Sequence, residues 1–204
     1  MFGAIKAFLF KNKDSIAENI WSQLAIPIDL AKLTGTHTDF SNEFLDDDYL
    51  VGYFNSYQDL MARLFFKIKK PEDRGLIVTK ILFLFDSKFD DAKELIKFGD
   101  ILKKIVGKKG TVSGSEHAFM TIAIMLNDPK AKSYFLNDKI YLEAQKFYDD
   151  GGFEKRANLQ KAVLGSLATG KNAGEMPKDF AIAYRVFELT FVKHLNKKFK
   201  VKEF

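Results

Sequence analysis

The stretch FLDDDYLVGYFNSYQDLMARLFFKIK, residues 44–69, decides the fold, because its apolar residues recur every three or four positions. They are Leu50, Tyr53, Phe54, Tyr57, Leu60, Met61, Leu64, Phe65 and Ile68. This interval places the side chains on one face of an α-helix. We therefore predict one long helix over Phe44–Lys69 with a buried face.

The same spacing continues outward in both directions, and helix start and stop signals separate the periodic segments. Ser15 and Ser113 each precede a Glu by three residues, which is the capping-box pattern of a helix start. Pro71 followed by two acids also favours a first turn, and Gly107 favours a stop. Pro27 is expected to break or kink its helix. We predict an all-α, single-domain irregular bundle of about eight or nine helices, the last running from Pro177 to about Lys198.

The segment Leu76–Phe85 is apolar on all sides and would also suit a buried strand. No partner strand is evident elsewhere, so we predict a central helix. The segment is the longest strongly apolar run, yet its ten residues fall far short of the ~20 that a membrane-spanning helix needs. We expect no transmembrane segment and a cytoplasmic location.

Composition narrows the classes of function. The chain has 204 residues, 47% of them hydrophobic, and no cysteine, which excludes disulfides, zinc ribbons and thiol nucleophiles. We expect one domain over residues 1–204, with Met1–Lys13 docked on it and a basic tail over Lys197–Phe204. A membrane-surface helix is the alternative for Met1–Lys13, but Lys6 falls inside its apolar arc, which favours docking.

A group of lysines and serines is the best candidate for binding an anion. The net charge is +5, and lysines concentrate just before the predicted helix start at Ser113. Free amides at a helix N-terminus attract phosphate or carboxylate, and adjacent lysines strengthen that attraction. The candidate contact residues are Lys103, Lys104, Lys108, Lys109, Ser113 and Ser115.

Other motifs give weaker signals. Gly165–Asn172 resembles a phosphate loop but has Asn172 in place of the magnesium-binding hydroxyl, so a helix C-cap at Gly170 is favoured. Glu43 and Asp46–Asp48 lie at a predicted helix start, where acidic side chains stabilise the helix dipole. This role is favoured over metal binding. The histidines at 37, 117 and 194 form no metal motif. We assign no catalytic residue, cofactor or metal.

We expect a helical interaction module that docks a protein partner or an anionic group. One alternative is a carrier of a lipid or other apolar molecule in a cavity lined by some of the 21 phenylalanines. Another is a carboxylate-metal enzyme at Glu43 and Asp47. Nucleic-acid binding is disfavoured, because the aromatic residues follow core spacing and do not alternate with the lysine clusters. The sequence predicts no oligomeric state.

Overall fold

The computed structural model describes residues 13–156 and 177–201. Over these residues the chain forms ten α-helices and no strand, which confirms the all-α prediction. The number is slightly higher than the eight or nine helices that the spacing predicts. The difference arises because Asp47 restarts the helix in the 44–69 stretch and a π-helical segment divides the last helix.

The helices of the first half are α1 (Lys13–Thr34), α2 (Phe40–Leu45), α3 (Asp48–Leu60), α4 (Pro71–Phe85) and α5 (Ala92–Ile105). Those of the second half are α6 (Lys109–Met125), α7 (Pro129–Ser133), α8 (Lys139–Asp149), α9 (Lys178–Phe187) and α10 (Lys193–Phe199). π-Helical segments cover Met61–Phe65 and Glu188–Val192, and Ser87–Asp90 is a 3₁₀ turn. Residues 152–156 are also helical.

The predicted helix over Phe44–Lys69 is two helices, and the prediction of one is wrong. α2 ends at Leu45, and the Asp47 carboxylate accepts hydrogen bonds from the amides of Tyr49 and Leu50, which begins α3. After α3, the π segment changes which side chains face inward. Phe66 is buried there, whereas the predicted core residue Phe65 is only half-buried. A π turn contains an extra residue and therefore rotates the helix face that follows it.

Several other boundaries agree with the sequence signals. Pro71 is the first residue of α4, and Glu72 and Asp73 occupy its first turn. Gly107 follows α5 with a φ of 79°, a conformation that glycine adopts without strain. Asp128 and Asp138 cap α7 and α8, because their carboxylates accept hydrogen bonds from the free backbone amides of the first turn.

Three expectations about helix starts and burial are wrong. α1 begins at Lys13, so Ser15 lies inside it and does not start it, and the helix does not break at Pro27. α6 begins at Lys109, so the capping box at Ser113 does not start a helix. Leu76 on α4 is 56% exposed, so the segment Leu76–Phe85 is not buried on all sides.

The chain divides into two compact units, one of Met1–Phe119 with Phe191–Phe204 and one of Met120–Thr190. One domain over residues 1–204 stays a prediction. Residues 1–12 of the predicted docked segment, and residues 202–204 of the predicted basic tail, lie outside the described residues. The tail begins inside α10, where Phe199 is fully buried.

Aromatic side chains fill the core of the first unit. Phe40 stacks on Phe199 with ring centroids 4.3 Å apart, and Phe44 lies 5.0 Å from Phe85. Phe85 also contacts Phe54 at 5.5 Å. Ring pairs at these distances add to the free energy gained by burying apolar area. This part of the interior is therefore occupied by side chains.

The second unit has its own core. It is formed by Met120, Ile124, Tyr141, Ala144, Ile182, Ala183 and Val186. Near it, the guanidinium groups of Arg156 and Arg185 each lie over the Phe147 ring, and both donate to the Glu188 carboxylate. Across the described residues, none of the helices has the length and apolarity to cross a membrane.

Candidate functional site

Glycines allow α3 and α6 to cross at very short distance in the first unit. A Cβ atom built on Gly114 would lie 2.3 Å from the Tyr49 carbonyl oxygen, and one on Gly52 would lie 2.6 Å from the Thr111 carbonyl oxygen. No side chain fits at such distances. Gly110 and Gly114 are therefore packing residues inside α6.

Beside this crossing lies an open groove of about 390 Å³. We call it the basic groove because Lys103, Lys104, Lys108 and Lys109 flank its lining residues in the sequence, although none of them is a lining residue. Its walls come from α3, the end of α5 and the first turns of α6. It is lined by Gly52, Asn55, Ser56, Leu102, Ile105, Val106, Gly107, Thr111, Val112, Ser115 and Glu116. Most of the lining atoms come from apolar or small neutral residues, and Glu116 is its one acidic member.

The mouth of the basic groove carries exposed apolar side chains. Val106 is 77% exposed and Val112 is 43% exposed. Both residues belong to the lining of the groove. An exposed apolar cluster of this kind marks a surface that gains free energy when a partner covers it.

The four predicted lysines flank, in the sequence, the lining residues that come from α5 and α6. Lys103 and Lys104 lie in the last turn of α5, where positive charge also complements the helix dipole. Lys108 precedes α6 and lies 3.1 Å from the Asp48 carboxylate, and Lys103 lies 3.0 Å from Asp100. Among the described residues, no carboxylate lies within ion-pair distance of Lys104 or Lys109, so their charges face solvent.

The two predicted serines have a different role from the one expected. Both lie inside α6, beyond its first turn. The Ser115 hydroxyl accepts a hydrogen bond of 2.8 Å from Ser56 and is 3.4 Å from the Gly52 carbonyl oxygen that it donates to. Ser115 thus fastens α6 to α3 at the floor of the groove. Of the six predicted contact residues, only Ser115 belongs to the lining of the groove. The four lysines flank the lining residues in the sequence, and Ser113 has no part in the lining.

The acidic cluster is already engaged within the protein. Glu43 accepts hydrogen bonds from the amides of Thr38 and Asp39, and these bonds lower the pKa of its carboxyl group. Asp47 caps α3, and Asp48 pairs with Lys108. Among the residues that the structure describes, no three His, Cys, Asp or Glu side chains are grouped so as to hold a metal ion.

The sequence analysis missed a cluster formed by Asp47, Tyr49, His117 and His194. The His194 Nε2 donates to the Asp47 carboxylate at 3.1–3.2 Å, and the His194 ring stacks on Tyr49 with centroids 4.2 Å apart. The Tyr49 hydroxyl shares a hydrogen bond of 2.8 Å with the His117 Nδ1. The cluster connects α3, α6 and α10. No motif could reveal it, because its members are up to 147 positions apart.

The charge of Asp47 is maintained by these contacts. Burial by itself would raise the pKa of Asp47, but the hydrogen bonds from His194 and from the Leu50 amide, together with the charge of Lys198, bring it below its ordinary value. The remaining histidine, His37, contacts the Lys32 carbonyl oxygen at 2.8 Å and lies apart from this cluster. The Gly165–Asn172 run lies outside the described residues.

Comparison of the chain with known protein families, with characterised proteins and with solved structures finds no match.

Proposed function

We propose that this protein is an interaction module whose basic groove binds an acidic segment of a partner protein. The observation that carries the proposal is the combination of exposed Val106 and Val112 with Lys104 and Lys109, whose charges are not matched by acids among the described residues. An apolar patch next to lysines without ion-pair partners fits a segment that presents apolar side chains next to carboxylates.

A protein segment fits this surface better than a free phosphate or carboxylate. A small anion would gain from the lysines but would leave Val106 and Val112 in water. Of the two serines predicted to contact an anion, Ser115 already bonds Ser56 and Gly52, and Ser113 does not line the groove. The apolar residues therefore favour an occupant that carries apolar side chains as well as charge.

The proposal is tested with a fluorescent synthetic peptide of alternating Glu and Leu. Its binding to the full chain is measured by anisotropy, beside a poly-Glu peptide of equal length and inorganic tripolyphosphate. Reversing all four lysines to Glu is expected to weaken binding of the Glu-Leu peptide by more than tenfold, because each exposed charge contributes roughly 0.2–1 kcal/mol and reversal replaces this attraction with a repulsion of similar size. Val106→Asp is expected to weaken it as well.

The matched control reverses Lys67, Lys69, Lys70 and Lys93, which lie on exposed surface away from the groove. This control changes the net charge by the same amount and is expected to leave the affinity within about twofold of the unmodified chain. Circular dichroism checks that both variants keep their helices. Equal loss of affinity in both variants, or equal binding of poly-Glu and Glu-Leu peptides, would show an unspecific charge effect and overturn the proposal.

Two alternatives come from the sequence alone. A carrier of an apolar molecule would retain its ligand through purification, which native mass spectrometry detects as added mass. A carboxylate-metal enzyme at Glu43 and Asp47 would bind Mg²⁺, which calorimetry measures directly. Either result would replace docking as the function best supported.

A further inference from the structure

A second groove, separate from the basic groove, lies along α4 in the first unit. This α4 groove has a volume of about 810 Å³. It is lined by Lys13, Asp14, Leu76, Thr79, Lys80, Phe83, Phe89, Asp90 and Leu95. Leu76 and Phe83 are 56% and 38% exposed, so its wall presents large apolar side chains to solvent. Covering these side chains would remove apolar area from water and so gain free energy.

The chain reaches the described residues at the edge of this groove. Lys13, the first residue of α1, lies in the groove lining and pairs with Asp73 of α4 at 2.6 Å. Asp14, the next residue, lies 3.7 Å from Lys80. These pairs fix the start of α1 beside α4. Residues 1–12 are therefore tethered directly next to the groove.

The sequence of residues 1–12, MFGAIKAFLFKN, has the chemistry of a suitable occupant. It contains Phe2, Ile5, Phe8, Leu9 and Phe10, which gain free energy when they leave water. A chain of this length spans up to about 40 Å when extended, so the tether does not restrict which part of the groove it can reach. The high effective concentration of a tethered segment favours it over a separate molecule.

The charges agree with the same occupant. Asp90, on the groove lining, is exposed and has no ion-pair partner among the described residues. The lysines that line the groove, Lys13 and Lys80, already face Asp73 and Asp14. A cationic segment is therefore preferred there, and residues 1–12 contribute Lys6 and Lys11.

We propose that residues 1–12 of this chain bind in the α4 groove and cover Leu76 and Phe83. The proposal is independent of the function of the basic groove. It assigns to the N-terminal segment an intramolecular partner in place of a membrane surface.

The absence of cysteine from the sequence makes the test direct. Leu76→Cys places a single thiol in the groove, and Leu33→Cys places one on α1 at a position that is 84% exposed. The rate of reaction with a maleimide is measured for each full-length chain. Leu76→Cys is expected to react at least tenfold more slowly than Leu33→Cys, and Phe8→Asp with Phe10→Asp is expected to remove most of that protection.

Similar rates at the two positions, or protection that survives the Asp substitutions, would overturn the proposal. Protection that increases with protein concentration would do the same, because a second copy would then be the occupant. A double variant gives a second readout. Phe8→Cys with Leu76→Cys is expected to form an intramolecular disulfide on mild oxidation, whereas Phe8→Cys with Leu33→Cys is not. Failure of the first pair to cross-link counts against the proposal even if the Asp variant does not fold.

Charge reversal separates this groove from a membrane surface. Asp90→Lys is expected to speed the labelling of Leu76→Cys, and adding Lys6→Glu and Lys11→Glu to it is expected to restore protection. Binding of the unmodified chain to vesicles that contain phosphatidylserine, with faster labelling of Leu76→Cys in their presence, would instead identify the segment as a membrane anchor.

Discussion

Asp47 joins several parts of the first unit through one carboxylate. It accepts the first free amides of α3 and a hydrogen bond from His194 of α10. Its side chain is only 15% exposed, so a partly buried charge is compensated by several donors at once. Removal of that charge should therefore weaken the fold, even though Asp47 lies in an acidic stretch where a single carboxylate looks dispensable.

Asp47→Asn is expected to lower the free energy of unfolding by about 1 kcal/mol at neutral pH. Asn caps helices as well as Asp, so the loss isolates the contact with His194. Because the folded protein lowers the pKa of Asp47, this contribution is present above the ordinary Asp pKa of about 4 and is lost as the pH falls through the lower folded value. Urea titrations followed by Trp21 fluorescence measure the difference, which should vanish in acid.

Asp46→Asn is the control for that experiment. Asp46 is exposed and makes no ion pair among the described residues. Its substitution is expected to change the stability by less than about 0.5 kcal/mol. A pH-independent loss in Asp47→Asn, equal at neutral and acid pH, would contradict the role given to the carboxylate charge.

Gln58 is a fully buried polar residue on α3 whose side-chain amide has no hydrogen-bond partner among the described residues. Such a group loses its water without compensation. Gln58→Met keeps the shape and removes the polar atoms, so it is expected to raise the free energy of unfolding by roughly 1 kcal/mol. Gln23→Met is the matched opposite, because Gln23 accepts a hydrogen bond of 2.7 Å from the buried Tyr57 hydroxyl. Thermal unfolding should order the three proteins with Gln58→Met highest and Gln23→Met lowest.

At the scale of elements, the crossing of α3 and α6 depends on the absence of side chains. Gly114→Ala is expected to destabilise the protein by about 1–3 kcal/mol, because the new Cβ would collide with the backbone of α3 at Tyr49 and Tyr53. Gly99→Ala on α5 meets no atom within 4 Å, so it is expected to stabilise the protein by roughly 0.5–1 kcal/mol through helix propensity. Chemical denaturation of both variants, with opposite signs, tests this crossing.

The helical class and many helix ends could be predicted from the sequence, because periodic apolar residues, Pro71, Gly107 and Asp138 act locally. The start of α6 could not. A pair of glycines near serines suggests a loop. In the structure Gly110 and Gly114 lie inside α6 because α3 packs closely against them, and a sequence does not show such a contact. Helix α1 likewise continues through Pro27.

The candidate site was only half predictable for the same reason. Lysine clusters are visible in a sequence, and the lysines from Lys103 to Lys109 flank residues that line one groove, such as Val106 and Thr111. The polar wall of that groove, with Asn55 and Ser56, comes from α3, more than forty residues away from Val106. The cluster of Asp47, Tyr49, His117 and His194 is assembled over a still longer range, and short motifs carry no signal for such contacts.

At the scale of the whole molecule, a net charge of +5 is too small to explain selective binding by itself. The account instead depends on where the charge lies relative to exposed apolar area. Binding of the Glu-Leu peptide is therefore expected to weaken with added salt but to retain a component that salt does not remove, because screening acts on the lysines and leaves the contacts of Val106 and Val112 intact. A salt titration of its affinity measures both parts, and complete loss of binding at high salt would contradict the apolar part.

The most direct test of the docking account is a charge-swap cycle between the basic groove and its peptide. Affinities are measured for the unmodified chain and for Lys104→Glu with Lys109→Glu, each against the Glu-Leu peptide and against a Lys-Leu peptide. The account predicts that the reversed groove loses the first peptide and gains the second, with a coupling between the two changes of about 1 kcal/mol or more. Additive effects with no coupling would show that these lysines do not meet the ligand, and would contradict the account.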